Sequence, residues 1–81
     1  RNLALAYEAM EKGGNMPCIL NAANEIAVAS FLQDKISFLG MSDMIAYTMA
    51  HASFILQPDY EDYVQTDAQA RRIASEYLKT I

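Results

Sequence analysis

Apolar residues recur along this chain at spacings of three and four, and no segment alternates with period two over a useful length, so the pattern predicts an all-α domain. Asn2 is placed to cap a first helix in which Leu3, Ala6, Tyr7 and Met10 form the apolar stripe, with Glu8, Glu11 and Lys12 outside. Gly13-Gly14 ends that helix. Pro17 suits a first helical turn because it has no N–H to lose there, and a second helix is predicted from about Pro17 to Gln33. It is apolar almost all round, which places it at the centre of a bundle. Leu20, Ala23, Ala27 and Phe31 line one flank, and Ile26 and Ala29 extend another.

Asp34-Lys35 reads as a turn and Ile36-Ser37-Phe38 as a short extended link tucked under the bundle. A third helix starts near Gly40, with Met41, Met44, Ile45, Thr48 and Ala52 on its apolar stripe, and fades near Ser53. Phe54-Ile55-Leu56 reads as a connector closed by Gln57-Pro58. Asp59 can then cap a short helix carrying Tyr60, Tyr63 and Val64 on one side. Thr66 with Gln69 three residues on has the form of a capping box opening a last helix, whose stripe is Ala70, Ile73, Ala74, Tyr77, Leu78 and Ile81. The predicted architecture is a four-helix bundle-like domain over residues 1–81, with short loops.

Three polar residues interrupt the second helix. At about 100° per residue, Asn21, Asn24 and Glu25 share one face. Buried without partners, each amide would cost on the order of 1–3 kcal/mol and the carboxylate more. They either satisfy loop backbone groups inside the bundle or dock on a neighbouring domain, where Ala22 and Ala23 would let two backbones approach closely.

Eighty-one residues with 53% apolar content make one domain with a modest core. The formal charge of −4 argues against nucleic acid, since only Arg71 and Arg72 are adjacent cations. No apolar run reaches the roughly 18 residues of a membrane span. The single cysteine, Cys18, cannot form an internal disulfide, which fits a reducing, cytoplasmic setting. The chain enters a helical pattern at Arg1 and stops in mid-pattern at Ile81, as expected of a segment of a longer polypeptide.

Few residues offer chemistry. His51, the only histidine, stands near a helix end, where a surface or capping role outweighs that of a base. Without a second His or a Cys at ligand spacing it forms no transition-metal motif. Cys18 follows Pro17 near a helix start, a position that can lower a thiol pKa, yet beside Ile19 and Leu20 it reads better as core packing. Asp59, Glu61, Asp62 and Asp67 lack the glycine turn of a calcium loop and read as helix caps rather than as a divalent-cation site. Met41 and Met44 could line an adaptable groove but fit a Met-rich core better. Gly13-Gly14 lacks the further glycines and the preceding strand of a phosphate-binding loop.

The order and spacing of several segments carry a resemblance. Leu3-Ala4-Leu5-Ala6-Tyr7-Glu8-Ala9-Met10, then Gly13-Gly14, then Pro17 to Leu32 with its Asn-Ala-Ala-Asn-Glu centre, resembles the C-terminal domain of 1-deoxy-D-xylulose 5-phosphate reductoisomerases. Ile36-Ser37-Phe38 is similar to the family's short link ending in Phe. Glu61-Asp62-Tyr63-Val64 and Asp67-Ala68-Gln69-Ala70-Arg71 are similar to its final stretch. Gly40 and the segment from Ser53 to Tyr60 depart from the family pattern.

The resemblance implies a parent enzyme that rearranges and reduces its substrate to 2-C-methyl-D-erythritol 4-phosphate for isoprenoid synthesis, using NADPH and Mg²⁺ or Mn²⁺. It also implies a homodimer in which this domain braces the catalytic domain of the same chain. The family's NADPH loop, metal carboxylates and phosphate-binding residues lie upstream, so no catalytic, cofactor or metal residue is carried over here. The segment is expected to be inert alone, with Asn21, Asn24 and Glu25 as its interdomain contact. The rival expectation is a free-standing helical module that binds another protein.

Overall fold

The computed structural model describes all residues, 1–81, as four helices: α1 Asn2–Lys12, α2 Met16–Leu32, α3 Phe38–His51 and α4 Tyr60–Leu78. It contains no strand, as the periodicity predicts. The α2–α3 hairpin forms the middle of the domain; α1 packs on one side of it and α4 on the other, without touching each other. Long-range pairs fix the directions. Arg1, just before α1, meets Asp43 of α3, and Lys12 at the end of α1 lies over the Phe54 ring, so α1 runs parallel to α3. Cys18 lies by Tyr63 and Glu25 by Arg71, so α4 runs parallel to α2. The result is an up-down-up-down bundle.

The core is built from small and flexible side chains. Ala22, Ala23 and Ala27 of α2 and Ala70 and Ala74 of α4 are fully buried, as are Ile19 and Met44. Met16, Met41, Ile45 and Met49 fill the remaining space. The Met-rich stripe is therefore core rather than groove, because flexible thioethers fill the gaps that alanine leaves. Thr48 is buried beside them, and its hydroxyl donates to the Met44 carbonyl at 2.8 Å, which satisfies it inside its own helix.

The ends of the elements are set locally. Gly13 takes φ 68° and its N–H closes α1 on the Ala9 carbonyl. Asp34, at φ 58°, lets the chain turn after α2. Asp59 and Asp62 form a reciprocal capping box on α4, at 2.8 and 3.1 Å.

Several details differ from the sequence pattern, among them Ile81, which lies beyond α4 and is exposed. Asn2 is the first residue of α1 rather than its cap, and its side chain accepts a hydrogen bond from the Ser42 hydroxyl. The link at 36–38 is not extended: Ser37 caps α3 by accepting from Gly40 N–H at 3.0 Å, and Phe38 opens the helix, while Ile36 does tuck under the bundle. The last two predicted helices are one, since α4 runs unbroken through Thr66. In α1 the buried residues are Leu5 and Ala9, whereas Leu3, Tyr7 and Met10 remain 69%, 65% and 73% exposed.

Candidate functional site

The polar face of α2 looks toward α4 at one edge and outward along the rest. Asn21 Nδ2 donates to Glu25 Oε2 at 3.2 Å, a one-turn pair. Glu25 Oε1 accepts from Arg71 Nη2 at 3.2 Å, and Arg71 Nε donates to Asp67 Oδ2 at 2.8 Å. Both carboxylates hold the Arg71 guanidinium more firmly protonated than usual, the Asp67 hydrogen bond contributing most. Asn24 is half-buried, and its amide forms no side-chain hydrogen bond within the domain. None of the three satisfies loop backbone, and Ala22 and Ala23 are turned into the core, so these alanines are not available for a second backbone to approach.

The polar centre of the domain lies elsewhere, at a residue that periodicity passes over as loop. Asn15 is fully buried between α1 and α2. Its Nδ2 donates to the Ser53 carbonyl at 2.9 Å and to Thr66 Oγ1 at 2.9 Å, and its Oδ1 accepts from Ile55 N–H at 2.8 Å. Its own N–H donates to the Ile55 carbonyl at 2.9 Å. One side chain thus ties the α3–α4 connector and α4 to the start of α2. Gln69 adds to the same knot, its Oε1 accepting from Ser53 N–H at 2.9 Å. The apparent Thr66–Gln69 capping box is this tertiary network instead.

Gly14 makes the approach possible. It sits at φ 55°, and a Cβ there would lie 2.2 Å from the Ile55 carbonyl oxygen. The only sequence signal for this hub is the position of Asn15, directly after two glycines and just before a helix start.

The other candidates are placed plainly. Cys18 is half-buried and its thiol is pushed up, first by burial and then by the Asp67 charge, with Arg71 opposing; a lowered, nucleophilic thiol is not what the site makes. His51 ends α3 with its ring stacked on Tyr47, centroids 4.0 Å apart, and its Nδ1 lies 2.8 Å from the Tyr47 carbonyl. A carbonyl only accepts, so Nδ1 carries the proton and donates. Asp59 and Asp62 are engaged in the α4 cap, Glu61 accepts from Gln65, and Asp67 holds Arg71. No three His, Cys, Asp or Glu side chains converge as a metal-holding set. No helix is long and apolar enough to cross a membrane.

Comparison with known proteins accounts for the pattern. The family model described as the DXP reductoisomerase C-terminal domain matches residues 1–73. A 1-deoxy-D-xylulose 5-phosphate reductoisomerase of Bacteroides fragilis is 68% identical over 78 residues, covering 96% of this chain and 20% of the relative. One from Bacillus cereus is 45% identical over the same length, with the same coverage. The solved 1-deoxy-D-xylulose 5-phosphate reductoisomerase of Zymomonas mobilis in complex with NADPH superposes with a TM-score of 0.89 at 39% identity, over 98% of this chain and 21% of that one. The chain spans about a fifth of the length of the curated relatives it matches. With the family model matching nearly end to end, this chain belongs to the DXP reductoisomerase C-terminal domain family.

Proposed function

We propose that this chain serves as the C-terminal helical domain of an NADPH-dependent 1-deoxy-D-xylulose 5-phosphate reductoisomerase, a cytoplasmic homodimer that uses Mg²⁺ or Mn²⁺. The observation that carries this reading is the superposition of nearly the whole chain on a reductoisomerase solved with NADPH. The residues present do not fit either cofactor. No metal set converges, and Gly13-Gly14 follows a helix, with Gly14 packed against the 55–56 backbone rather than opening a phosphate cradle. In this reading NADPH, the metal and the chemistry belong to other parts of the enzyme, and this domain braces the catalytic domain.

The contact is assigned to the Asn21, Asn24 and Glu25 face with the adjoining Gly13 to Cys18 segment, of which Met16 to Cys18 form the first turn of α2 and Asn15 and Met16 are buried within the domain. Asn24 supports it, as a half-buried amide on that face with no side-chain hydrogen bond inside the domain and with its polar atoms open to a partner. Glu25 contributes less, since Arg71 already neutralises it. Replacing Asn24 and Glu25 together by Ala in the full-length enzyme is expected to lower substrate-dependent NADPH oxidation or the melting temperature. Normal turnover with normal melting would remove this face from the proposal.

A further inference from the structure

α1 is apolar over far more of its circumference than the domain uses. At about 100° per residue, Leu5, Ala9, Ala6, Met10, Leu3 and Tyr7 follow one another round an arc of roughly 200°, broken only by Asn2 at the helix start. The α2–α3 pair covers the part holding Leu5 and Ala9. The other part, Leu3, Tyr7 and Met10, is about two-thirds exposed, while Glu8, Glu11 and Lys12 mark the solvent face proper. A surface helix normally shows one apolar stripe; two mean a helix covered from two sides.

We infer that the Leu3–Tyr7–Met10 face of α1 is a second docking surface, covered by apolar side chains from the part of the reductoisomerase chain that precedes this domain. This rests on the proposed function, and two observations select the occupant. The relatives carry about four-fifths of their length outside the matched segment, and the family's description places the domain at the C-terminus, so most of such a chain precedes α1. The area points the same way. An 11-residue helix is about 16 Å long and about 10 Å across, a strip on the order of 160 Å². Separate proteins that associate stably bury roughly 800 Å² each, so the strip is too small to hold a second copy. A covalently attached domain, present at an effective concentration of about millimolar, needs far less.

The test is hydrogen peroxide oxidation of the full-length enzyme, read as methionine sulfoxide per residue by mass spectrometry, with the urea-unfolded chain as reference. Met44, fully buried within the domain, is the internal standard for a covered thioether. Met10 is expected to oxidise at least about tenfold more slowly than in urea, approaching Met44, at every protein concentration. Oxidation of Met10 near the unfolded rate overturns the proposal, and so does protection that disappears on dilution, which would assign the face to a second copy. Substrate-dependent NADPH oxidation by the same preparation reports separately on the reductoisomerase reading: turnover with an unprotected Met10 leaves that reading standing and removes only this surface.

Discussion

Asn15 and Thr66, fifty-one positions apart, meet in the interior of the domain through an Nδ2 to Oγ1 hydrogen bond of 2.9 Å. The amide is the only side chain that joins the α1–α2 loop, the α3–α4 connector and α4, and each of its three hydrogen-bonding groups is used. Replacing Asn15 by Ala strands the Ile55 N–H and the Ser53 carbonyl, and is expected to destabilise the fold by about 2–4 kcal/mol. Asn15→Asp keeps the shape but sets a carboxylate against the Ser53 carbonyl, and should be at least as damaging at neutral pH. Urea unfolding followed by circular dichroism measures both; a loss within experimental error for Asn15→Ala would remove the hub from the account.

The two glycines of the preceding loop should differ. Gly13, at φ 68° and ψ −147°, has open space where a Cβ would stand but holds a backbone conformation that suits only glycine, so Gly13→Ala is expected to lose about 1–3 kcal/mol to strain alone. Gly14→Ala adds a 2.2 Å clash with the Ile55 carbonyl oxygen, which is backbone held by Asn15 and cannot simply move aside. Its loss should exceed that of Gly13→Ala by about 1–3 kcal/mol. Equal melting temperatures for the two variants would contradict the close approach.

The Cys18 thiol is raised chiefly by burial, so its neutral form is favoured in the folded state. Its contribution to stability is therefore fully present below the unfolded thiol pKa and lost as pH rises through the folded one. Alkylation of the native domain by iodoacetamide should show a midpoint above that of a free cysteine. Asp67→Asn should lower that midpoint and Arg71→Gln raise it, because the two charges act in opposite directions. A native midpoint below the free-cysteine value would restore the thiolate reading.

Ala70 and Ala74 hold α4 against the core with no exposed surface. Enlarging either to Leu in so tight a seam is expected to destabilise by about 1–3 kcal/mol. Ala68, on the exposed side of the same helix, serves as the control, and Ala68→Leu should be close to neutral. Melting of the three variants decides the point.

Much of the fold is legible in the chain because periodicity is a property of each helix alone. The α3 stripe of Met41, Met44, Ile45, Thr48 and Ala52 is buried throughout, and α2 packs against each of the other three helices, although Val28, Ala29, Phe31 and Leu32 near its end stay exposed rather than covered all round. Periodicity identifies an apolar face without naming what covers it, which is why Leu3, Tyr7 and Met10 read as core and prove exposed. Thr66 and Gln69 carry the local grammar of a cap, but their partners, Asn15 and Ser53, are brought to them by tertiary structure. The buried hub was illegible for the same reason: a lone Asn in a glycine loop looks like punctuation until the 53–55 backbone arrives beside it.

The most direct test of this domain's role is NADPH oxidation by the full-length enzyme with 1-deoxy-D-xylulose 5-phosphate and Mg²⁺ or Mn²⁺, set beside a truncated form ending just before Arg1. Substrate-dependent oxidation by the full-length protein that is lost on truncation is the predicted result. No such oxidation by a well-folded full-length protein, or undiminished turnover by the truncated one, would contradict the assignment of this chain as a bracing domain of that enzyme.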